Sequence, residues 1–392
     1  MASIGSTVGL FAGIGGFELG LEEVGFSTEL LCEIEPGARA VLAAHFADTS
    51  LHDDVSTLGT LPAGCTVLAA GFPCQDLSQA GRGAGITGGR SGLVVQVFRL
   101  LDGPESTLPT WVLLENVPFM LQLDQGRAMH LLTTELSSRG YRWAYRIVDA
   151  RAFGLPQRRR RVLLLASRTE DPRPPLFGQD EQVPRDADSD GRACGFYWTE
   201  GNTGLGWVVD GVPTIKGGSG LGIPSPPALW MPDGSIVTPD IRDAERLQGF
   251  KADWSRPAEV VLGLKRGVRW KLVGNAVCVP MASWIAKRLA AGVGDYLGED
   301  SRFPDHFRWP NAAWGDKSGV RKASVGEFPV KVAQQRLHEF LEFQTHPLSE
   351  RAVRGFRNRL AASRLRYPRA FLQDLDRSVE QKSLKNDFLQ VA

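Results

Sequence analysis

Cys74 is the residue whose surroundings best suit it to covalent chemistry. It lies in Ala70-Gly71-Phe72-Pro73-Cys74-Gln75-Asp76-Leu77-Ser78, where an apolar run gives way to a glycine-rich stretch. A cysteine inside a core is an inert small hydrophobe, whereas one presented by a strand-to-loop turn can act as a nucleophile. Glycines 81, 83, 85, 88, 89 and 92 follow it and suit a loop that moves as a lid. Two other turns carry ionisable groups. Leu114-Glu115-Asn116-Val117-Pro118 ends a second apolar run with a carboxyl. Burial there would keep that carboxyl a proton donor, and Asn116 could equally serve as a helix N-cap. Gly154-Leu155-Pro156-Gln157-Arg158-Arg159-Arg160-Arg161-Val162 drives four arginines into a third run. Strand alternation puts Arg159 and Arg161 on one face, Arg158 and Arg160 on the other. One pair can then point into a site while the other meets solvent or phosphate.

A nucleotide-like ligand is suggested by the first turn, Leu10-Phe11-Ala12-Gly13-Ile14-Gly15-Gly16-Phe17. Its glycines let the backbone approach a ligand closely. Glu18 occupies the third glycine position of a dinucleotide fingerprint, and no Walker lysine follows, so a pyrophosphate ligand is disfavoured. Glu33 nevertheless stands 20 residues after Gly13, where an acid grips ribose hydroxyls. A nucleoside cofactor without phosphates fits both facts. S-adenosylmethionine (AdoMet) is the common one. Asp54, alone, would read as a solvated turn.

These turns need elements to hold them. Apolar runs at 6–11, 30–34, 66–72, 111–117, 145–148 and 161–166 alternate with helical patterns at 18–24, 37–46, 93–101 and 128–139. That alternation predicts an α/β fold with a mostly parallel, Rossmann-like sheet and helices on both faces, its ligands beyond the carboxyl ends of the strands. From about residue 170 to 237 the chain is rich in Pro, Gly, Asp and Trp, with weak periodicity. This reads as a small loop-rich module. Helical pattern returns at 240–247 and 276–289. The expected division is 1–172, 173–237, a return segment 238–295 completing the first domain, and an extension 296–392.

Composition sets further bounds. A chain of 392 residues with 43% hydrophobic and 23% charged residues can build two or three cores. No apolar run reaches membrane-spanning length, and no basic residue precedes the first apolar stretch. Five cysteines without framework spacing suit a reducing compartment, and no zinc-type pattern occurs. A cytoplasmic location and no metal are expected. Residues 301–392 hold 17 Lys+Arg against 10 Asp+Glu; of the chain's 45 and 44, the first 300 therefore hold 28 and 34.

Taken together, LFAGIGGF, FPCQ, ENV and GLPQRRRR, followed by Glu245-Arg246-Leu247-Gln248-Gly249-Phe250 and Val273-Gly274-Asn275-Ala276-Val277, resemble the cytosine-5 DNA methyltransferase family of bacterial restriction-modification systems. The resemblance spans residues 4 to about 292 in the family's order. It implies AdoMet contacts from Phe11, Gly13 and Gly15, with Glu33 on the ribose and Ile34 on the adenine. Asp54 and Val55 would read the adenine edge, Pro73 and Leu93 would line the methionine side, and Asn275 and Ala276 would close the pocket. It implies Cys74 as nucleophile, Glu115 as the proton donor at cytosine N3, and Arg161, helped by Arg159, holding O2. DNA contacts are expected from Gln75, Ser78, Arg82, Lys216, Gly217 and Gly218, with 173–237 as a target recognition region. Two departures stand out: Gly9 replaces the family's frequent Asp, and Ile34 stands where an aromatic residue is often found. The implied partner is double-stranded DNA, with a monomeric enzyme and a separately acting endonuclease. The other readings are a tRNA methyltransferase of the same fold and a non-catalytic DNA-binding regulator.

The extension carries Arg351, Arg354, Arg357, Arg359, Arg364, Arg366 and Arg369 within 19 acid-free positions. Val353, Phe356, Leu360 and Leu365 recur near helical spacing, and Pro368 can stop the helix. The segment is expected to be helical, with a basic face that either pairs with carboxylates or meets phosphate.

Overall fold

The computed structural model describes residues 3–72, 92–183, 188–200, 202, 204–217, 226–261, 263, 267–292, 294–298, 300–303 and 308–391, with side chains to 381. Its first half is built on strands β1 (Ser6–Leu10), β2 (Ser27–Cys32), β3 (Ser50–His52), β4 (Cys65–Gly71), β5 (Trp111–Asn116) and β6 (Arg142–Asp149). The short β7 (Gln157–Arg158) then leads into β8 (Arg160–Ser167). Strands β3, β2, β1, β4 and β5 lie side by side and parallel. Next to β5 comes β8, antiparallel to it, and then β6. The expected α/β Rossmann-like sheet is therefore present.

Alternation along these strands makes two cores. Val8, Leu10, Leu68, Ala70, Val112, Leu114 and Leu164 face one cluster, with Val97 and Leu132 from the covering helices. Val67, Ala69, Leu113, Leu163 and Leu165 face the other. There helix Gly16–Glu22 packs against helix Val279–Ala290. A Cβ at Gly20 would come within 2.6 Å of the Ala282 methyl, so this crossing needs glycine.

A second, five-stranded antiparallel sheet follows. It uses β9 (Cys194–Phe196), β10 (Val208–Val209), β12 (Ala228–Trp230) and β13 (Ile236–Thr238), while β11 (Val212–Pro213) pairs with β7 and ties the two sheets together. The 173–237 segment thus contains short strands where weak periodicity predicted loops. The extension divides between the two sheets. Strands β14 (Ser301–Arg302), β15 (Ala312–Asp316) and β16 (Gly319–Lys322) lengthen the large sheet beyond β6, in the order β14-β16-β15-β6. Strand β17 (His346–Pro347) pairs with β13. Helices Glu350–Ala361 and Arg369–Val391 then cover the small sheet, burying Val353, Phe356, Leu360, Phe371 and Leu375 against Phe196, Leu205 and Ala228. Pro368 does not stop the first helix, which ends seven residues earlier; it introduces the second, its carbonyl accepting the Phe371 N–H at 3.1 Å. Among the described residues no helix is long and apolar enough to cross a membrane.

Candidate active site

Parallel strands deliver their carboxyl ends to one edge of a sheet, and an antiparallel neighbour brings its amino end to the same edge. That rule assembles the site. Strand β5 ends at Glu115 and Asn116; β8 begins at Arg160 and Arg161, with Asn116 opposite Val162 and Glu115 opposite Leu163. Arg161 lies two residues before Leu163, so it shares Glu115's face. Its Nε lies 2.7 Å from Glu115 Oε1, and both side chains are about nine-tenths buried. Arg161 Nη1 donates to the Arg160 carbonyl at 2.8 Å. An ion pair this enclosed is costly to form and more costly to break from one side. Its place at the strand-end edge is that of a working group, not of a surface tether.

Gly71, the last residue of β4, stands in register with Glu115. Asn116 does not cap a helix: its Nδ2 donates to the Phe72 carbonyl at 3.0 Å, and its Oδ1 accepts the Val117 N–H. The segment leading to Cys74 is therefore anchored beside the Glu115–Arg161 pair. Pro73, Cys74, Gln75, Ser78, Arg82 and Gly218 lie outside the described residues. Leu93 immediately precedes helix Val94–Leu101 and is partly exposed.

The first loop and Glu33 meet as the spacing required. Phe11 has φ of 53°, a left-handed conformation that a non-glycine residue holds only where its surroundings enforce it. Gly13 and Gly15 follow at 58° and 84°. Glu33 Oε2 accepts the Gly13 N–H, and Oε1 the Glu35 N–H, each at 2.8 Å. Burial raises the Glu33 pKa against these bonds. Strand β3 pairs with β2, and the Glu33 N–H donates to the His52 carbonyl, so Asp54 and Val55 follow close by. Asp54 is held below the usual carboxylate range by Ser56, whose N–H donates to it at 2.8 Å. Ile34 is 68% exposed, a large apolar side chain left open beside a pinned carboxylate.

Residues from much later in the chain close this region. A Cβ on Gly16 would overlap the Val277 carbonyl, so the backbone after Ala276 lies directly against the first loop. Asn275 is exposed and Ala276 buried. Trp254 donates from Nε1 to the Ile14 carbonyl at 2.8 Å.

The four arginines alternate in environment. Arg160 pairs with Glu327, and Arg158 donates to the Trp207 carbonyl. Arg159 is 1% exposed, and its Nε has no hydrogen-bond partner among the described residues. It donates to the carbonyls of Ile215, Gly274 and Ala276, the last at 2.6 Å. Burial, with Arg161 close by, draws its guanidinium down to about 9, still charged at neutral pH. Arg159 thus braces the start of β8 against the 274–276 turn, with Arg161 and Glu115 as its charged neighbours. Gln157, fully buried, does similar work: it donates to the Leu247 carbonyl and accepts from the Ile215 N–H. Its place in GLPQRRRR was the one sequence signal for that role. Lys216 pairs with Glu200 and sits 3.7 Å over the Tyr197 ring. A Cβ on Gly217 would lie 2.8 Å from Asn275 Oδ1, so this segment of the smaller lobe touches the cofactor-side turn.

Comparison with known proteins agrees with this geometry. Residues 5–192 match the family described as C-5 cytosine-specific DNA methylase. The chain is 47% identical to the type II methyltransferase M2.BsuMI of Bacillus subtilis strain 168, over 96% of this chain and 99% of that one. It is 28% identical to the type II methyltransferase M.BsuFI of Bacillus subtilis, over 71% of each. Among solved structures, the S. pombe Dnmt2 methyltransferase superposes with a TM-score of 0.55 at 17% identity, covering 74% of this chain and 99% of the other. That likeness is one of fold. With a near full-length relative at this identity, the chain belongs to the C-5 cytosine-specific DNA methylase family, as a DNA (cytosine-5) methyltransferase of type II.

Proposed function

We propose that the chain transfers a methyl group from AdoMet to carbon 5 of a cytosine turned out of a specific double-stranded DNA sequence, through a covalent bond to Cys74. The observation that carries this reading is the enclosed Glu115–Arg161 pair at the sheet edge from which the Cys74 segment departs.

The residues suit AdoMet. Glu33 presents an oriented carboxylate to ribose hydroxyls and Ile34 an open apolar face to adenine, with Asp54 and Val55 at its edge. Phe11, Gly13, Gly15, Asn275 and Ala276 supply the remaining wall, and Pro73 and Leu93 are assigned to the methionine side. When bound, the cofactor supplies an electrophilic methyl group.

Carbon 5 of cytosine is a poor nucleophile. Addition of the Cys74 thiolate to C6 breaks the ring's aromaticity and moves an electron pair onto C5. Glu115 takes up a proton from solvent as the base enters and gives it to N3, which stabilises the enamine, and Arg161 beside it stabilises the carboxylate that this leaves. Arg161 holds O2, while its Nε keeps the Glu115 carboxyl in place. The electron pair on C5 would form the new carbon–carbon bond to the methyl group that the bound cofactor supplies, the pair of the broken sulfur–methyl bond staying with the cofactor's sulfur. A base then removes the C5 proton, the bond between Cys74 and C6 breaks, and the 5,6 double bond and the Glu115 proton return. The other four cysteines are buried, and burial pushes the thiols of Cys32, Cys65 and Cys194 to about 12 and that of Cys278 to about 11. None of them is a ready thiolate, so the nucleophile's role falls to Cys74. Stacking hides C6 in a duplex, so the base must turn out, at a cost of a few kcal/mol. Segment 173–237 reads the sequence; the closure over the base expected of 75–92 falls on residues that, apart from Gly92, lie outside the described ones. A separately acting restriction endonuclease of the same specificity is the expected counterpart of a monomeric enzyme.

The test is methyl transfer from labelled AdoMet to bacterial duplex DNA or to total tRNA. Label should appear as 5-methylcytosine in DNA. Label confined to tRNA would overturn the substrate, and tight DNA binding without any transfer would make the chain a regulator.

A further inference from the structure

The seven arginines of 351–369 are not alike in the folded chain. Three are occupied. Arg357 pairs with Asp376 at 2.7 Å, linking the two C-terminal helices. Arg359 donates to the carbonyls of Trp198 and Glu200, each at 2.9 Å. Arg354 pairs with Glu350. The other four, Arg351, Arg364, Arg366 and Arg369, are exposed and make no ion pair among the described residues. Bracing explains the first three and leaves these four unexplained. Unpaired like charges so close along the chain repel and destabilise the fold they sit on.

The stretch that carries them is firmly seated. Helix Glu350–Ala361 buries Val353, Phe356 and Leu360, and Phe371 follows the arginine run into the same core, 5.0 Å from Phe196. Arg359 also ties the helix to the loop at 198–200. Glu200 of that loop pairs with Lys216, and Gly217 beside it touches Asn275. A continuous path of contacts thus runs from the basic helix to the edge of the active site. The run contains seven arginines and no lysine. The planar guanidinium fork binds phosphate bidentately, whereas lysine would serve as well for mere solubility.

We propose that Arg351, Arg364, Arg366 and Arg369 form an accessory surface that grips the phosphates of duplex DNA outside the methylated site. This rests on duplex DNA being the substrate. Because only phosphates are contacted, the grip is sequence-independent and releases counterions.

The test uses the full-length protein and a random-sequence 40-base-pair duplex, with binding followed by fluorescence anisotropy from 50 to 200 mM salt. The R364Q/R366Q/R369Q variant removes three phosphate contacts, so the slope of log K against log salt should flatten by about 2.7. Over that fourfold range the parent should lose about 40-fold more affinity than the variant. A control variant, R302Q/K317Q/K322Q, removes the same charge from the exposed edge of the β14–β16 region and should keep the parental slope. R357Q should melt earlier yet bind normally. An unchanged slope in the first variant, with or without a lowered melting temperature, would overturn the proposal. So would equal flattening in the control, which would mark a net-charge effect. Methyl transfer by the parent is measured on the same preparation: transfer to tRNA alone would overturn the duplex reading and this surface with it, whereas transfer to duplex with an unchanged slope overturns the surface only.

Discussion

Replacing Glu18 with glutamine should change how stability depends on pH. Glu18 is 1% exposed, and its Oε2 has no hydrogen-bond partner among the described residues. Its carboxyl fills the space over Gly9, where a Cβ would overlap it. An acid therefore lies beside position 9 although glycine occupies that position. Burial, reinforced by Glu22 and Glu33, pushes the carboxyl from its ordinary 4.5 up to about 8. Between those values the folded chain holds a proton that the unfolded chain has released. Stability from this group is complete below about pH 4.5 and falls as pH rises to about 8. At roughly 1.4 kcal/mol per pH unit, the loss over that window is about 5 kcal/mol. Glutamine cannot titrate. It adds a buried donor that costs about 1–3 kcal/mol at every pH, which leaves the slope untouched. Urea denaturation of parent and E18Q at pH 5, 6.5 and 8 measures both. The parent should lose stability more steeply by up to ~1.4 kcal/mol per unit, so the curves should cross between about pH 5 and 7 and E18Q should be the more stable by about 2–4 kcal/mol at pH 8. Parallel curves would refute the assignment, because they would mean that Glu18 is already ionised and satisfied.

Glu115→Gln should lower kcat by about 10²–10⁴ while leaving AdoMet affinity unchanged. Glu33→Ala should do the reverse, weakening AdoMet binding by about 10- to 100-fold, as expected for lost bonds to a charged group; calorimetry beside steady-state kinetics separates them, and the opposite pattern would exchange the two roles. Gly274→Ala places a Cβ 2.5 Å from the Lys216 carbonyl carbon and 2.8 Å from Gly217 Cα. Backbone must move, so stability should fall by about 1–3 kcal/mol and KM for DNA should rise; an unaffected variant would show that this contact is loose.

The strand ends that build the site were legible because each apolar run of the large sheet stops at a glycine or an ionisable residue. Strand alternation put Arg159 and Arg161 on one face, but Arg159 falls in the break between β7 and β8. It could not tell what Arg159 would bond, since the carbonyls that claim it come from residues 215, 274 and 276. The small sheet escaped detection for a physical reason. Its strands are two or three residues long, too short for a period of two to show, and β17 joins them from more than 100 residues away. Its core is supplied largely by helices that follow it in sequence. Val353, Phe356 and Leu360 announced the first of those helices. Nothing in their spacing said that the face they bury lies against Phe196. The Ala312–Asp316 strand, Ala-Ala-Trp-Gly-Asp, contains no β-branched residue and owes its conformation to pairing with β6.

The central claim is a covalent bond between Cys74 and the target base. DNA carrying 5-fluorocytosine tests it most directly, because methyl transfer can proceed while fluorine cannot leave as a proton does. Incubated with AdoMet, the protein should remain attached to such DNA, and peptide mapping should place the link at Cys74. The Cys74→Ala variant should form no adduct. An adduct that persists in that variant, or methylation of ordinary DNA without Cys74, would contradict the account.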